Sequence, residues 1–177
     1  VPDDYQDLAY ENVETPIDCG QELTRPVVTG LMLQALGADT TCNVLEVGCG
    51  NGYQTAVLSK LSRRVFGIDR YRTLVEAAKL NMRALAARNV EIRLTDGLNG
   101  WPEAAPFERI ILCAAVSTVP HALISQLTIG GVLVAPVDDG EVQSIWRYLK
   151  EEDGSLSGKL LVASKFLPVI SGTAKEL

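Results

Sequence analysis

The stretch Val44–Tyr53, V-L-E-V-G-C-G-N-G-Y, decides the fold. An apolar run carries one acid, Glu46, near its end, and glycines then occupy every second position at Gly48, Gly50 and Gly52. An amphipathic segment, Thr55–Leu61, follows. The pattern reads as a buried strand, a tight glycine turn and a helix start, an arrangement in which a ligand lies against bare backbone. The spacing is G-x-G-x-G after an acid, distinct from the G-x-G-x-x-G dinucleotide fingerprint.

Outward from this turn, strands and helices alternate, which implies a largely parallel sheet covered on both faces. The predicted strands are 43–47, 64–68, 90–94, 109–113 and 132–136. Between them, residues 73–88 carry Leu74, Ala77, Ala78 and Leu85 at helical spacing. A further helix is predicted over 119–127, stopped by Gly130-Gly131. The segments 141–149 and 159–167 flank Asp153-Gly154 and read as an antiparallel hairpin closing the sheet. Upstream, Thr24 fits a helix N-cap with Pro26 in the first turn of an apolar helix running to Leu36. Residues 1–23, interrupted by Pro2 and Pro16, read as an irregular cover over the sheet edge. The expected layout is one domain over 1–177: the cover (1–23), a helix with its loop (24–42), the sheet core (43–137) and the hairpin segment (138–177).

A chain of 177 residues can bury one substantial core, and 47% hydrophobic with 21% charged residues is ordinary for a globular protein. No apolar run approaches the roughly 20 residues of a membrane span, and no signal-peptide pattern is visible. The net charge of −6 argues against nucleic-acid binding, because phosphates favour basic surfaces. Cys19, Cys42, Cys49 and Cys113 have no metal-finger or C-x-x-C spacing. They read as free thiols, and so point to the cytoplasm. The single histidine, His121, sits at a helix start and is expected to face solvent. One histidine makes a His-based metal site or a Ser-His hydrolase improbable, and no metal is expected.

Three acids fall at the carboxyl ends of predicted strands, where ligands bind in open α/β sheets. Asp69 lies 21 residues after Gly48, where a carboxylate accepts both hydroxyls of a ribose. Glu46, an acid in an apolar strand, needs a partner and is placed near the amino-acid end of a nucleoside cofactor. Asp96 is placed to accept from an adenine amino group, with Gly97 letting backbone approach the ring. Agreement among the three strand ends favours a nucleoside cofactor over three unrelated turns.

The chain resembles the protein-L-isoaspartate (D-aspartate) O-methyltransferase family. Its glycine turn is similar to the first motif of S-adenosylmethionine-dependent methyltransferases. Val1-Pro2 and D-L-A-Y at 7–10 resemble the family's N-terminal cover, and C-G-Q-E-L-T-R-P at 19–26 its substrate loop, G-Q-T-I-S-x-P. D-G-L-N-G-W-P-E-A-A-P-F at 96–107 and Cys113-Ala114-Ala115 resemble the second cofactor motif and the next strand end. L-I-S-Q-L-T-I-G-G-V-L-V-A-P-V at 123–137 resembles the third motif. Members carry a helical segment ahead of the position of Val1, so a trimmed chain or a shortened cover is expected.

The resemblance implies a Rossmann-like methyltransferase fold and methyl transfer from S-adenosyl-L-methionine to the carboxylate of L-isoaspartyl residues, the start of protein repair. S-adenosyl-L-homocysteine is the product. A carboxylate with a pKa near 4 is already an anion at pH 7 and needs no general base, so the missing histidines fit. Gln21, Glu22 and Thr24 fall on the substrate loop, and Thr24 is the expected catalytic contact, holding the acceptor carboxylate at a helix N-terminus. The departures are Glu22, where the pattern has threonine, and Thr24, where it has serine. Glu22 would repel an acceptor carboxylate and suits an amine, amide or hydroxyl acceptor better. Two alternatives therefore stand beside repair: a same-fold methyltransferase with another acceptor, and a cofactor-binding domain without turnover. Oligomeric state is not legible.

Overall fold

In the computed structural model, which describes residues 1–174, a seven-stranded sheet forms around the strand that carries Glu46. A 3-10 turn at Asp3–Leu8 leads into a small hairpin, β1 (Thr15–Ile17) and β2 (Gln21–Leu23). Helix α1 (Pro26–Leu36), β3 (Asn43–Val47), α2 (Tyr53–Leu61), β4 (Arg64–Asp69), α3 (Arg72–Ala84), β5 (Val90–Leu94) and β6 (Phe107–Leu112) follow. The chain continues through α4 (His121–Gln126), β7 (Leu127–Asp138), β8 (Gln143–Lys150) and β9 (Leu156–Ala163). The sheet order is β5-β4-β3-β6-β7-β8-β9. The first five strands pair in parallel, while β8 and β9 run antiparallel. The expected Rossmann-like class, with a C-terminal antiparallel hairpin, is what forms.

Strand period explains the two cores. Leu45 and Val47 face one side with Phe66, Ile68, Phe107 and Ile110. Val44 faces the other with Val65, Ile111 and Val134. Helix α1 covers the second face with Val28, Met32 and Leu36, one turn apart, and stops at Gly37, whose left-handed backbone (φ 59°) donates to the Leu33 carbonyl. The chain leaves β3 towards β4 and β5 on one side and returns through β6 and β7 on the other. The crevice above β3 is therefore a switch point, where side chains beyond the strand ends are free to line a cavity.

Several local expectations are corrected. Thr24 is not the N-cap of α1: Arg25 holds that position, and the Thr24 carbonyl instead accepts the Thr29 hydroxyl at 3.3 Å. Gly130-Gly131 does not stop a helix but lies inside β7. There β6 and β7 pair Phe107 with Leu127 and then Arg109 with Val132, so the glycine pair is looped out of register. Helix α3 ends at Ala84, short of residue 88, where Ala86 turns left-handed (φ 51°) and the Ala87 N–H closes back on the Met82 carbonyl. The second hairpin arm ends at Ala163, and the chain then turns across the sheet, Pro168 bridging to Ala115. The last three residues of the 138–177 segment lie outside the described residues.

Residues 15–23 form a hairpin over the crevice, not an irregular cover at the sheet edge, with Ile17 against Gly50. His121 is exposed, and the four cysteines are free. Among the described residues no helix is long and apolar enough to cross a membrane, and no acid, cysteine and histidine cluster could hold a metal.

Candidate active site

The glycine turn is built so that backbone forms the cavity floor. Gly48 leaves β3 at φ 83°, a conformation that L side chains resist, and its N–H and that of Cys49 both donate to the Ile68 carbonyl. Gly52 caps α2 for a different reason. A Cβ there would lie 3.1–3.3 Å from Met82 and Ala78 of α3, on a backbone at φ 90°. Gly52→Ala should therefore destabilise the protein by about 1–2 kcal/mol, read as a lowered urea midpoint at unchanged slope. No side chain caps α2, so its first N–H groups remain available at the turn.

Above this floor lies a cavity of about 210 Å³. Its walls come from the hairpin (Ile17, Gln21, Glu22), from Thr24, from the turn (Gly48, Gly50) and from the ends of β3, β4 and β6. Leu167–Ile170 runs along it as a strap. Glu46 is fully buried in the wall. Its Oε2 accepts the Thr55 hydroxyl at 2.5 Å, while Oε1 has no partner among the described residues. Burial pushes its carboxyl up to about 8, a rise that the Thr55 bond and the nearby Gln54 amide only partly oppose. A buried acid with an orphaned oxygen lacks a cationic or hydrogen-bonding partner, and the cavity is where one fits.

Asp69, at the end of β4, is also buried. Its Oδ2 accepts the Gly50 N–H at 2.9 Å and its Oδ1 the Tyr71 N–H at 3.0 Å. Burial raises its carboxyl, and these backbone donors oppose the rise. Each oxygen accepts one internal bond and keeps a second acceptor site, the requirement for a vicinal diol. Gly97 stands in the wall, and a Cβ there would lie 2.7 Å from Val47 Cγ1.

Asp96 departs from expectation, since it does not line the cavity. Its Oδ1 accepts the Leu98 N–H, and its Oδ2 accepts the Ser171 hydroxyl at 3.1 Å and the Gly172 N–H at 2.8 Å. Partial burial pushes its carboxyl up, but those donors outweigh it and hold it below the usual carboxylate range. Asp96 thus anchors the strap, assisted by Arg70, whose Nε donates to the Gly172 carbonyl at 3.0 Å. Sequence reasoning missed this strap. Pro168 was its sole local signal, and a segment more than 50 residues beyond β6 reaches the site only through the β8–β9 excursion.

A second cavity of about 40 Å³ adjoins the first. Gln21, Glu22, Thr24, Cys113, Ala114 and Leu167 line both. The Gln21 amide donates to the Cys19 carbonyl at 3.3 Å, and the Thr24 hydroxyl has no partner among the described residues. Arg25 pairs with Glu14 at 2.9 Å and donates to the Ser164 hydroxyl at 3.3 Å. Burial pushes the Cys113 thiol well above its ordinary range, so it stays protonated, and Gln54 donates to its sulfur at 3.0 Å. The junction of the two cavities therefore holds hydroxyl and amide donors and one carboxylate, Glu22, but no histidine and no ionised thiol.

The model of the family Protein-L-isoaspartate(D-aspartate) O-methyltransferase (PCMT) matches residues 1–174. A protein-L-isoaspartate O-methyltransferase of Caulobacter sp. strain K31 is 46% identical over 175 residues, 99% of this chain and 80% of that protein. One from Maricaulis maris is 44% identical over 177 residues, covering 100% and 83%. Among solved structures, a protein-L-isoaspartate O-methyltransferase superposes with a TM-score of 0.82 at 27% identity, over 90% of this chain; the chain spans about half (53%) of that one. A Plasmodium falciparum beta-aspartate methyltransferase (PCMT) solved with S-adenosyl-L-homocysteine has the same fold, with a TM-score of 0.83 at 21% identity over 93% and 83% of the two chains. With the family model matched from Val1 to Ala174 and relatives 44–46% identical along nearly the whole chain, this protein belongs to the protein-L-isoaspartate(D-aspartate) O-methyltransferase family.

Proposed function

We propose that the chain methylates the free carboxylate of L-isoaspartyl residues in proteins, using S-adenosyl-L-methionine. The observation that carries this reading is the pairing of Glu46, with its orphaned oxygen, and the half-used carboxylate of Asp69 across one glycine-floored cavity. Glu46 suits the amino group at one end of the cofactor and Asp69 the ribose hydroxyls, while Gly97, Leu74 and Ile170 offer apolar lining for the ring. Bound there, the cofactor supplies a methyl group on a sulfonium, and the acceptor oxygen takes it with no proton moving. The protein's own part is positioning. Thr24 and Gln21 supply donors at the junction of the two cavities, where they hold the acceptor carboxylate. Orientation of this kind contributes on the order of 7–11 kcal/mol when reacting atoms are held close. The strap held by Asp96 and Arg70 supplies one wall of the cofactor's cavity.

Glu22 supports a second reading, a same-fold methyltransferase acting on an amine, amide or hydroxyl. Its carboxylate stands at the junction without an ion-pair partner among the described residues. The separating measurement is methyl transfer from labelled S-adenosylmethionine to matched isoaspartyl and aspartyl peptides. Label confined to the isoaspartyl peptide is the expected result. Cofactor binding with neither peptide labelled points to another acceptor, or to a cofactor-binding domain without turnover. The acidic net charge and the free cysteines support a cytoplasmic protein whose partners are damaged proteins and not nucleic acid.

A further inference from the structure

Glu22 is the sole charged side chain among the described residues that lines both cavities. On β2 it is the outward residue, exposed between half-buried Gln21 and Leu23 and opposite Pro16. The other charges of the outer cavity are Glu14, Arg25 and Lys165. Arg25 is taken up by Glu14 and Ser164. Lys165 lines the outer cavity alone and forms no ion pair with Glu22. An anionic acceptor brought to the junction therefore meets the Glu22 carboxylate, which no ion pair among the described residues neutralises, while the unpaired cation of the outer lining, Lys165, lies on that cavity alone.

Resting on the function proposed above, we infer that Glu22 selects acceptor peptides with a lysine or arginine beside the isoaspartyl residue. Successive residues of an extended peptide are about 3.5 Å apart. With the acceptor carboxylate at the junction, the long side chain of an adjacent residue thus reaches a carboxylate on the cavity rim. A cation there neutralises Glu22 and removes the repulsion, whereas an acidic neighbour adds to it. The rim is exposed, so the effect is moderate and falls with salt.

The test measures binding of fluorescent isoaspartyl peptides carrying Lys, Gln or Glu beside the damaged residue to protein saturated with S-adenosylhomocysteine. Wild type should bind the Lys peptide about fivefold more tightly than the Glu peptide at low salt, a ratio that narrows at high salt. Glu22→Gln should reduce the ratio below about twofold, and Glu22→Lys should reverse its sign. A ratio indifferent to both substitutions overturns the inference, as does failure of every isoaspartyl peptide to bind. Methyl transfer is followed on the Gln peptide in parallel. If that peptide is bound and never methylated, the proposed reaction fails while the coupling to Glu22 still stands. If it is methylated with no coupling, this inference alone falls.

Discussion

Asp69→Ala should weaken S-adenosylmethionine and S-adenosylhomocysteine binding by about 100-fold, measured calorimetrically. The carboxylate has two duties. It holds the turn through the Gly50 N–H and the start of α3 through the Tyr71 N–H, and it keeps acceptor sites turned to the cavity. Two charge-assisted bonds at about 1.5 kcal/mol each account for a factor near 100. Asp69→Asn keeps one carbonyl acceptor for one of the Gly50 and Tyr71 N–H groups and sets an amide NH2 against the other, so it should lower the urea midpoint as well as lose about tenfold in affinity. Unchanged affinity in the alanine variant would sink the ribose assignment.

Glu46→Gln should stabilise the ligand-free protein above neutral pH while weakening cofactor binding. The folded carboxyl sits near 8 because it is buried, and an unfolded glutamate titrates near 4.3. Between those values the folded state holds a proton that the unfolded state has released, so stability falls as pH rises towards 8. Between pH 6 and pH 8 wild type should lose about 2 kcal/mol that the glutamine variant keeps. In a domain of this size that is about 4–8 °C in Tm. Asp69, also raised by burial, contributes a slope of the same sign that the substitution leaves in place. Parallel Tm–pH curves for the two proteins would show that Glu46 is already ionised. Cofactor binding near pH 7 should also release protons in wild type but not in the variant, read from binding heats in buffers of different ionisation enthalpy.

The glycine turn and its strand were legible because their physics is local. Val44–Val47 is apolar enough to be a central strand, and alternate glycines permit a backbone that other residues resist. Asp69 was legible for the same reason: a strand of apolar residues that ends in an acid places it at the sheet's carboxyl edge. Thr24 was misread because side-chain chemistry suited a cap one residue too early, and the helix began where Pro26 could take the first position. Gly130-Gly131 was misread because a glycine pair ends a helix or opens a bulge with equal ease, and only pairing with β6 chose the bulge.

The role of Asp96 could not be settled from the chain's order at all. Its Asp-Gly pair is a turn in either reading, and the partner that claims its carboxylate, Gly172, lies 76 residues away. The sequence by itself determined the alternation of strands and helices, the glycine floor and the acids at the strand ends, since each follows from periodicity and from backbone sterics within a few residues. Tertiary structure alone decided which acids face the cavity, that Leu167–Ile170 lines it, and that Glu22 stands where two cavities join. Those facts depend on contacts between segments far apart in sequence, set by how both faces of the sheet are covered and by the path that brings the tail back across it.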